Sequence, residues 1–285
     1  MERQPEESLA GKVAIMTGAS RGVGKDAALA LARRGAKLVL AARTVDPHPD
    51  PSQPGTLGET LAAIEAAGGE GIAVATDLAK EEDLKALVDT AVERFGGVDI
   101  LVNNAAATAG EYWNKTFLEL SREEWLYQFD VNLHAPFTLM QLCVPIMEAR
   151  GGGRIINVTS GSGEVFRLTE EPKHARKIGD KNLEVPGYFC AKRALDRIAS
   201  IVAQDLEERG IHVIGLMPGW VATEMVTARL EAEVGDITKL EHRPVEMAVP
   251  SRMIAYFSAC AEPSEYTGRL FFAERELADM AIELD

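Results

Sequence analysis

The chain has 285 residues, of which 46% are hydrophobic, and a formal net charge of −14. It is long enough to bury a sizeable core, and it has no apolar run approaching the about 20 residues that a membrane-spanning helix needs, so we expect no membrane insertion. The acidic balance argues against a nucleic-acid or anionic-membrane partner, because such binding depends on Lys and Arg neutralising phosphates.

The cysteines and histidines lack the spacing of ligand sets. Three cysteines are scattered along the chain with no CxxC pair, and the five histidines are equally dispersed. This pattern argues against a disulfide framework and against a zinc site. We therefore predict no metal and a reducing, cytoplasmic setting.

The first predicted elements follow a polar segment, residues 1–9, that we expect to be a flexible tail. The apolar run 13–16 predicts a strand, and the alanine-rich run 27–32 predicts a helix, with TGASRGVG at 17–24 between them. Glycines allow close backbone approach, and the free N–H groups of a helix start attract anions. This order predicts a phosphate cradle with contacts from Gly18, Gly22 and Gly24.

Short apolar runs then recur between segments with helical periodicity. With the first strand they make seven predicted strands, the later ones at 37–42, 71–76, 98–106, 154–160, 212–218 and 268–273. Segment 81–95 has a helical apolar face, Ser121 and Glu124 form a capping box, and glycines at 35, 68 and 210 follow helix ends. Alternating strands and helices predict a single α/β domain with a parallel sheet covered on both faces.

Two stretches interrupt this alternation. Residues 44–58 contain four prolines and predict a surface loop after the second strand. Residues 162–187 predict a long inserted loop that carries the basic residues Lys173, His174, Arg176 and Lys177. A loop of that length inside a compact domain is usually functional or mobile.

Four motifs together resemble the classical short-chain dehydrogenase/reductase family along almost the whole chain, from about residue 10 to about residue 273. They are TGASRGVG, Asn103-Asn104-Ala105, Tyr188-Phe-Cys-Ala-Lys192 and Met217-Pro218-Gly219. The resemblance implies a Rossmann fold, with a doubly wound seven-stranded parallel sheet and a nicotinamide cofactor across the carboxyl ends of the strands. The proline-rich loop and the insertion before Tyr188 are similar to those of the hydroxysteroid-dehydrogenase-like subgroup.

Tyr188 and Lys192 are four residues apart, so on a helix they lie on one face. A free phenol has a pKa near about 10, and a neighbouring positive charge lowers it, so we expect Lys192 to lower the pKa of Tyr188. Tyr188 would then be the general acid in reduction and the base in oxidation. The resemblance adds Ser160, which would stabilise the substrate oxygen, with Ser162 and Thr159 as alternatives, and Asn132, which would hold a relay water.

The residues after the second predicted strand indicate the cofactor. An acid there would favour NAD, but the chain has Arg43 and Thr44, and Arg21 lies in the glycine turn. Arginine pairs with phosphate in a fork geometry, so we predict NADP rather than NAD, although Arg43 could instead stack on adenine. The implied cofactor contacts are Gly18, Ser20, Arg21, Gly22, Val23, Gly24, Arg43, Thr44, Asp77, Leu78, Asn104, Ala105, Ala106, Tyr188, Lys192, Pro218, Gly219, Val221 and Thr223.

These observations predict an NADP-dependent oxidoreductase that exchanges hydride between nicotinamide and a small-molecule carbonyl or secondary alcohol. The alternatives are an NAD-dependent alcohol dehydrogenase and a non-catalytic dinucleotide-binding sensor or scaffold. The resemblance also implies a homodimer or homotetramer formed through the long helices, and a substrate lid at 222–245. Ala106 departs from the family motif, which has glycine there, and its methyl group could crowd the cofactor or be absorbed.

Overall fold

The computed structural model describes residues 3–46, 55–107, 115, 117–160, 177–178, 181–182, 186–234 and 243–284. Its strands are β1 (Val13–Thr17), β2 (Lys37–Ala42), β3 (Glu70–Ala75), β4 (Ile100–Asn103), β5 (Gly153–Val158), β6 (Lys177–Ile178), β7 (Lys181–Asn182), β8 (Ile211–Met217) and β9 (Leu270–Phe272). Its α-helices are α1 (Gly22–Arg33), α2 (Leu57–Ala66), α3 (Glu81–Phe95), α4 (Arg122–Phe129), α5 (Ala135–Ala149), α6 (Pro186–Leu206), α7 (Glu224–Val234), α8 (Ala248–Ala259) and α9 (Ala273–Asp279).

Seven of the strands form one parallel sheet in the order β3-β2-β1-β4-β5-β8-β9. The seven strands predicted from the apolar runs all belong to it, which confirms the predicted fold class. The two-residue strands β6 and β7 form a separate antiparallel pair. Because all seven strands run in one direction, their carboxyl ends meet at a single edge, and that edge positions the site.

The sheet is buried on both faces because neighbouring residues of a strand point to opposite sides. In β1, Ala14 and Met16 join the core cluster that includes α1 and α8, whereas Val13 and Ile15 join the cluster that includes α3, α5 and α6. Each fully buried aliphatic side chain of this kind contributes about 1.5–3 kcal/mol. The continuous apolar runs in the sequence therefore reflect two cores, one on each face.

The predicted helix boundaries are largely confirmed. The helix predicted at 81–95 is α3, and the capping box between Ser121 and Glu124 begins α4. Gly35, Gly68 and Gly210 have φ values of 93°, 80° and 66°, the left-handed conformation expected of residues that end helices.

The amino-terminal segment differs from the flexible tail expected of its polar composition. Residues 3–9 are held against the rest of the domain by specific contacts. Glu6 pairs with Cys260 in an isolated β-bridge and forms ion pairs with Arg252 and Arg34, and Leu9 is buried. A segment with these partners gains enough contact energy to offset the entropy of ordering it.

The two interrupting stretches are shorter than predicted. Residues 47–54 lie outside the described residues, and the helix α2 already begins at Leu57, so the end of the proposed 44–58 loop is helical. Likewise Pro186 and Gly187 begin α6 rather than ending the 162–187 loop. Of the basic cluster, Lys177 lies in β6, whereas Lys173, His174 and Arg176 lie outside the described residues, as does Ser162.

The segment proposed as a lid, 222–245, contains α7, and its residues 235–242 lie outside the described part. Within the described ranges, no helix has the length and apolar character needed to cross a bilayer. The same part of the chain contains no cluster of three or more His, Cys, Asp or Glu side chains that could hold a metal ion.

Candidate active site

The sheet has a topological switch point at its carboxyl edge, between β1 and β4. The strand order reverses there, since β2 and β3 continue on one side and β5 and β8 on the other. Ligands of open α/β sheets bind at such switch points. The predicted cofactor and catalytic residues follow strands at this edge or lie in the first half of α6, except Asn132, which lies between α4 and α5.

The glycine turn after β1 has little space for side chains. Gly18 has φ of 69°, and a Cβ there would lie 2.8 Å from the Cα of Ala105. A Cβ at Gly24 would overlap the carbonyl oxygen of Gly18. The next segment, α1, begins with no side-chain cap from Arg21 and no acid in its first turn. Its first backbone N–H groups therefore lack intrahelical and capping acceptors, an arrangement that fits a diphosphate.

Thr17, the first residue of the glycine motif, is a structural member of the site that the sequence analysis did not single out. Its buried hydroxyl donates to the Val102 carbonyl (3.2 Å) and accepts from the backbone N–H groups of Asn104 (3.0 Å) and Ala105 (3.1 Å). The Asn104 amide donates in return to the Thr17 carbonyl at 2.9 Å. These bonds join the turns after β1 and β4. The position of a polar residue at the end of a fully buried strand could have indicated this role of Thr17 from the sequence.

Ala106, which stands where the family motif has glycine, is exposed. Among the described residues other than glycine, Ala281 alone has a positive φ. The backbone conformation at Ala106 therefore does not require glycine.

Arg43 follows β2 directly and is exposed. Its Nη1 donates to the Tyr127 hydroxyl at 3.1 Å, so a side chain of α4 orients the guanidinium. Sequence reasoning missed Tyr127 because its 84-residue separation from Arg43 gave no indication of contact. Thr44 is partly buried, and its carbonyl accepts from Leu57.

Asp77, predicted at the adenine edge, lies two residues beyond β3 and is engaged locally. Its carboxylate accepts from the backbone N–H of Ala79 at 3.2 Å, and its own N–H donates to Asp83 at 2.8 Å. Leu78 packs against the core on the α3 side of the sheet. Ser20 and Val23 are buried within the turn and α1.

The turn after β8 approaches the glycine turn. Gly219 has φ of 85°, and Val221 forms a bridge with Val245. A Cβ at Gly22 would lie 3.2 Å from the Cγ2 of Thr223, so these two predicted cofactor contacts are neighbours. Pro218 connects β8 to this turn.

The helix α6 places Tyr188 and Lys192 one turn apart, as predicted. Ser160 lies two residues beyond β5, and its side chain is near enough to the Tyr188 hydroxyl to act on the pKa of that phenol. Lys192 is 1% exposed. Its Nζ donates to the Val158 carbonyl at 2.8 Å and lies 6.0 Å from the centre of the Tyr188 ring.

The electrostatics of this group differ from the expectation. Burial raises the pKa of the Tyr188 phenol, and the Ser160 side chain and the charge of Arg193 oppose that shift. The net shift of the phenol's pKa is thus upward rather than downward, and Arg193 is the cation whose charge opposes it. Burial also lowers the pKa of Lys192 to about 8, and the negative charge of Asp196 opposes that change.

Asn132 lies not in a regular α-helix but in a π-helical turn, residues 130–134, between α4 and α5. It is fully buried. Its amide oxygen accepts from the Ala107 N–H at 3.1 Å, and its amide nitrogen donates to the Gln128 carbonyl at 2.7 Å. Such turns often occur at functional sites, and this one satisfies a buried amide that a regular helix tolerates poorly.

Comparison with known proteins agrees with this geometry. A family model described as short chain dehydrogenase matches residues 12–234. The chain is 30% identical over 237 residues to 7alpha-hydroxysteroid dehydrogenase of Escherichia coli strain K12, covering 83% of this chain and 81% of that protein. It is 38% identical over 276 residues to hydroxysteroid dehydrogenase-like protein 2 of Xenopus laevis, covering 96% of this chain and 60% of that longer protein.

A solved structure of 7alpha-hydroxysteroid dehydrogenase complexed with NADH and 7-oxo glycochenodeoxycholic acid gives a TM-score of 0.74 at 28% identity, over 93% of each chain. The chain belongs to the short-chain dehydrogenase/reductase family. It is accordingly an oxidoreductase of CH–OH and C=O groups that uses a nicotinamide dinucleotide.

Proposed function

We propose that this oxidoreductase is NADP-dependent and that Tyr188 is its general acid and base. The observation that carries the catalytic part is the proximity of the Ser160 side chain to the Tyr188 hydroxyl, with the buried Lys192 one turn away. A reacting oxygen within reach of both hydroxyls would meet one donor that stabilises it and one that exchanges its proton.

The bound cofactor supplies or accepts a hydride at the substrate carbon. In reduction, the Ser160 hydroxyl donates to the carbonyl oxygen and Tyr188 gives its proton to the alkoxide that develops there. Because burial keeps the pKa of Tyr188 above its ordinary value, the phenol is protonated and ready for this step at neutral pH. In oxidation the phenolate is the base, so turnover in that direction rises with pH. Lys192 would hold the nicotinamide ribose, and Asn132 would hold the relay water.

The decisive catalytic test is Tyr188→Phe, assayed by NADPH oxidation with a panel of ketones and hydroxysteroid-derived oxo compounds. The loss of the transferable proton should lower kcat/KM by on the order of 10²–10⁴-fold while NADPH still binds. A wild-type protein that binds NADPH but turns over no ketone and oxidises no alcohol would instead support the sensor or scaffold alternative. An unchanged rate in the variant would reject the role of Tyr188.

The preference for NADP is supported by charge at the adenine end. Arg43 and Arg21 both lie beside the expected ribose position, and Arg43 is oriented by Tyr127. NAD is the alternative, since a similar solved structure contains NADH. Fluorescence titration with NADPH and NADH distinguishes them: NADPH should bind more tightly, and Arg43→Gln should weaken NADPH selectively. Tighter binding of NADH would reject the preference.

We propose a small-molecule substrate bound at the Tyr188 and Ser160 hydroxyls. A cavity of about 240 Å³ beside the turn after β8 is lined by Met217, Gly219 and residues 272–275, and Ser160, Tyr188 and Lys192 are not among its lining residues. The lid at 222–245 and the insertion at 162–187 would add specificity. A structure with a substrate analogue would test this location.

We further propose a homodimer or homotetramer in a reducing, cytoplasmic setting. Phe137 on α5 and Ile201 on α6 are 40% and 46% exposed, and a contact through these helices would cover both side chains. The three cysteines are free thiols. Sedimentation analysis should give an oligomer that Ile201→Glu weakens; a wild-type monomer would reject the assembly.

A further inference from the structure

The helix α6 carries a second pair of charged side chains beside Tyr188 and Lys192. Arg193 and Asp196 form an ion pair, with 3.0 Å between Arg193 Nη1 and Asp196 Oδ2. The Asp196 side chain is only 11% exposed. The Arg193 side chain is 34% exposed, so Asp196 is the buried member of the pair, and a buried carboxylate is costly unless its surroundings use its charge.

All three residues 158–160 are in contact with charged side chains of α6. Lys192 donates to the Val158 carbonyl, Arg193 Nη2 donates to the Ser160 carbonyl, and the Thr159 hydroxyl lies against the Asp196 carboxylate. The Thr159 contact is not aligned as a regular hydrogen bond. Side chains of the helix that carries Tyr188 therefore also hold Ser160 in place.

We propose that Arg193 and Asp196 are positioning residues, which hold Ser160 against Tyr188 and balance the charge around the Tyr188–Lys192 pair. This inference rests on the proposed acid–base role of Tyr188. Neither residue has to touch the substrate. Arg193 acts through the Ser160 backbone, and Asp196 acts through Arg193 and through the charge of Lys192.

The two charges act on Tyr188 in opposite directions. Arg193 lowers the pKa of the phenol, whereas Asp196 raises it and also raises the pKa of Lys192. Asp196 itself has a pKa raised by burial, and Arg193, Thr159 and Lys192 oppose that shift. The described groups that act on the phenol are Arg193 and Asp196 of α6 and the neutral Ser160 hydroxyl after β5, and no charged group of α4 or of residues 130–134, which also pack against α6, is among them.

The test replaces each charge by a neutral side chain of similar shape, Arg193→Gln and Asp196→Asn. The pH dependence of kcat/KM for alcohol oxidation should move to higher pH in the first variant and to lower pH in the second, since the removed charges have opposite signs. Arg193→Gln should also lower kcat by on the order of 10-fold, because Ser160 loses its backbone anchor. Arg193→Lys, which keeps the charge, should restore the pH profile.

Matched controls are available on the same helix. Arg197→Gln and Asp205→Asn remove exposed charges further along α6 and should leave the pH profile where it is. A structural role alone would lower stability and activity without moving the two profiles in opposite directions. Shifts that are absent, or equal in direction for Arg193→Gln and Asp196→Asn, would overturn the proposal.

A second readout separates this proposal from the proposed function. The ultraviolet absorbance of tyrosinate, taken as the difference between each protein and its Tyr188→Phe counterpart, reports the ionisation of Tyr188 without cofactor or substrate. If the titration shifts in opposite directions for Arg193→Gln and Asp196→Asn but the protein catalyses no reaction, the proposed charge balance is retained and the proposed enzymatic role of Tyr188 is rejected. Turnover that depends on Tyr188 with no shift in either titration would retain the function and reject the positioning role.

Discussion

The glycine turn after β1 and the catalytic segment after β5 lie at the same edge of the sheet but are held in different ways. The turn is fixed by backbone groups and by the neutral side chains of Thr17 and Asn104, in a space that excludes any Cβ at Gly24. The segment 158–160 is contacted by three charged side chains of α6. The cofactor region should therefore respond mainly to changes of shape, and the catalytic region mainly to changes of charge and hydrogen bonding.

The largest effect should come from Ser160→Ala. Removal of the hydroxyl takes away the partner of Tyr188 and a donor to the substrate oxygen, so kcat/KM should fall by on the order of 10²–10³-fold. The dissociation constant for NADPH, measured by fluorescence, should stay unchanged. A variant that loses affinity for NADPH as well would show that the two regions are not separable.

The next effect should come from Gly24→Ala, which changes shape alone. The added methyl group overlaps the Gly18 carbonyl and meets Asn104, so NADPH affinity should fall by about 10–100-fold. At saturating cofactor, kcat should change much less. Gly58→Ala, in the first turn of α2 where a Cβ has more room, is the matched control and should bind NADPH normally.

Glu6→Gln tests a charged cluster that lies outside both regions. Glu6 pairs with Arg252, which is 5% exposed, and with Arg34, so its loss should reduce the free energy of unfolding by about 2 kcal/mol and leave kcat unchanged. Burial raises the pKa of Glu6, but hydrogen bonds and charge from the two arginines bring it below its ordinary value of 4.5.

The sign of the pH dependence follows from this depressed pKa. The stabilisation by Glu6 is fully present above pH 4.5 and is lost as pH falls through the lower pKa of the folded protein. Denaturant unfolding at several pH values should therefore show the gap between wild type and Glu6→Gln closing in acid. A gap independent of pH would contradict the ion-pair account.

The smallest effect should come from Tyr127→Phe. This variant frees the Arg43 guanidinium from its 3.1 Å hydrogen bond, so NADPH should bind about threefold more weakly, while NADH binding is unaltered. Equal changes for the two cofactors would show that Tyr127 contacts the shared part of the dinucleotide instead. A gain in NADPH affinity would show that the hydroxyl competes with the phosphate.

The difference between local features and contacts over long sequence distances explains which parts of the structure could be predicted from the sequence. Strands such as β2 and helices such as α3 were predicted closely because local apolar periodicity determines them. Helical spacing predicted that Tyr188 and Lys192 lie on one face, and the family resemblance added Ser160 at the end of a predicted strand. The sheet-edge position of the phosphate cradle followed from the same logic.

Contacts between distant parts of the chain could not be predicted. Residues 3–9 have a polar composition typical of a tail. No local sequence feature indicates that Glu6 forms an ion pair with Arg252, which lies near the other end of the chain. The contact of Arg43 with Tyr127 and the burial of Asp196 are likewise tertiary. A charged residue on a helix is by default expected in solvent, so the Arg193–Asp196 pair gave no signal of its own.

The π-helical turn at residues 130–134 makes the chain length between α4 and α5 a requirement of the site. Deleting one residue there would convert the turn to regular α-helix and rotate one helix against the other by about 100°. Asn132 and the Gln128 carbonyl that binds it would then leave their present orientation together. This short stretch should thus tolerate many substitutions on its exposed side, yet no insertion or deletion.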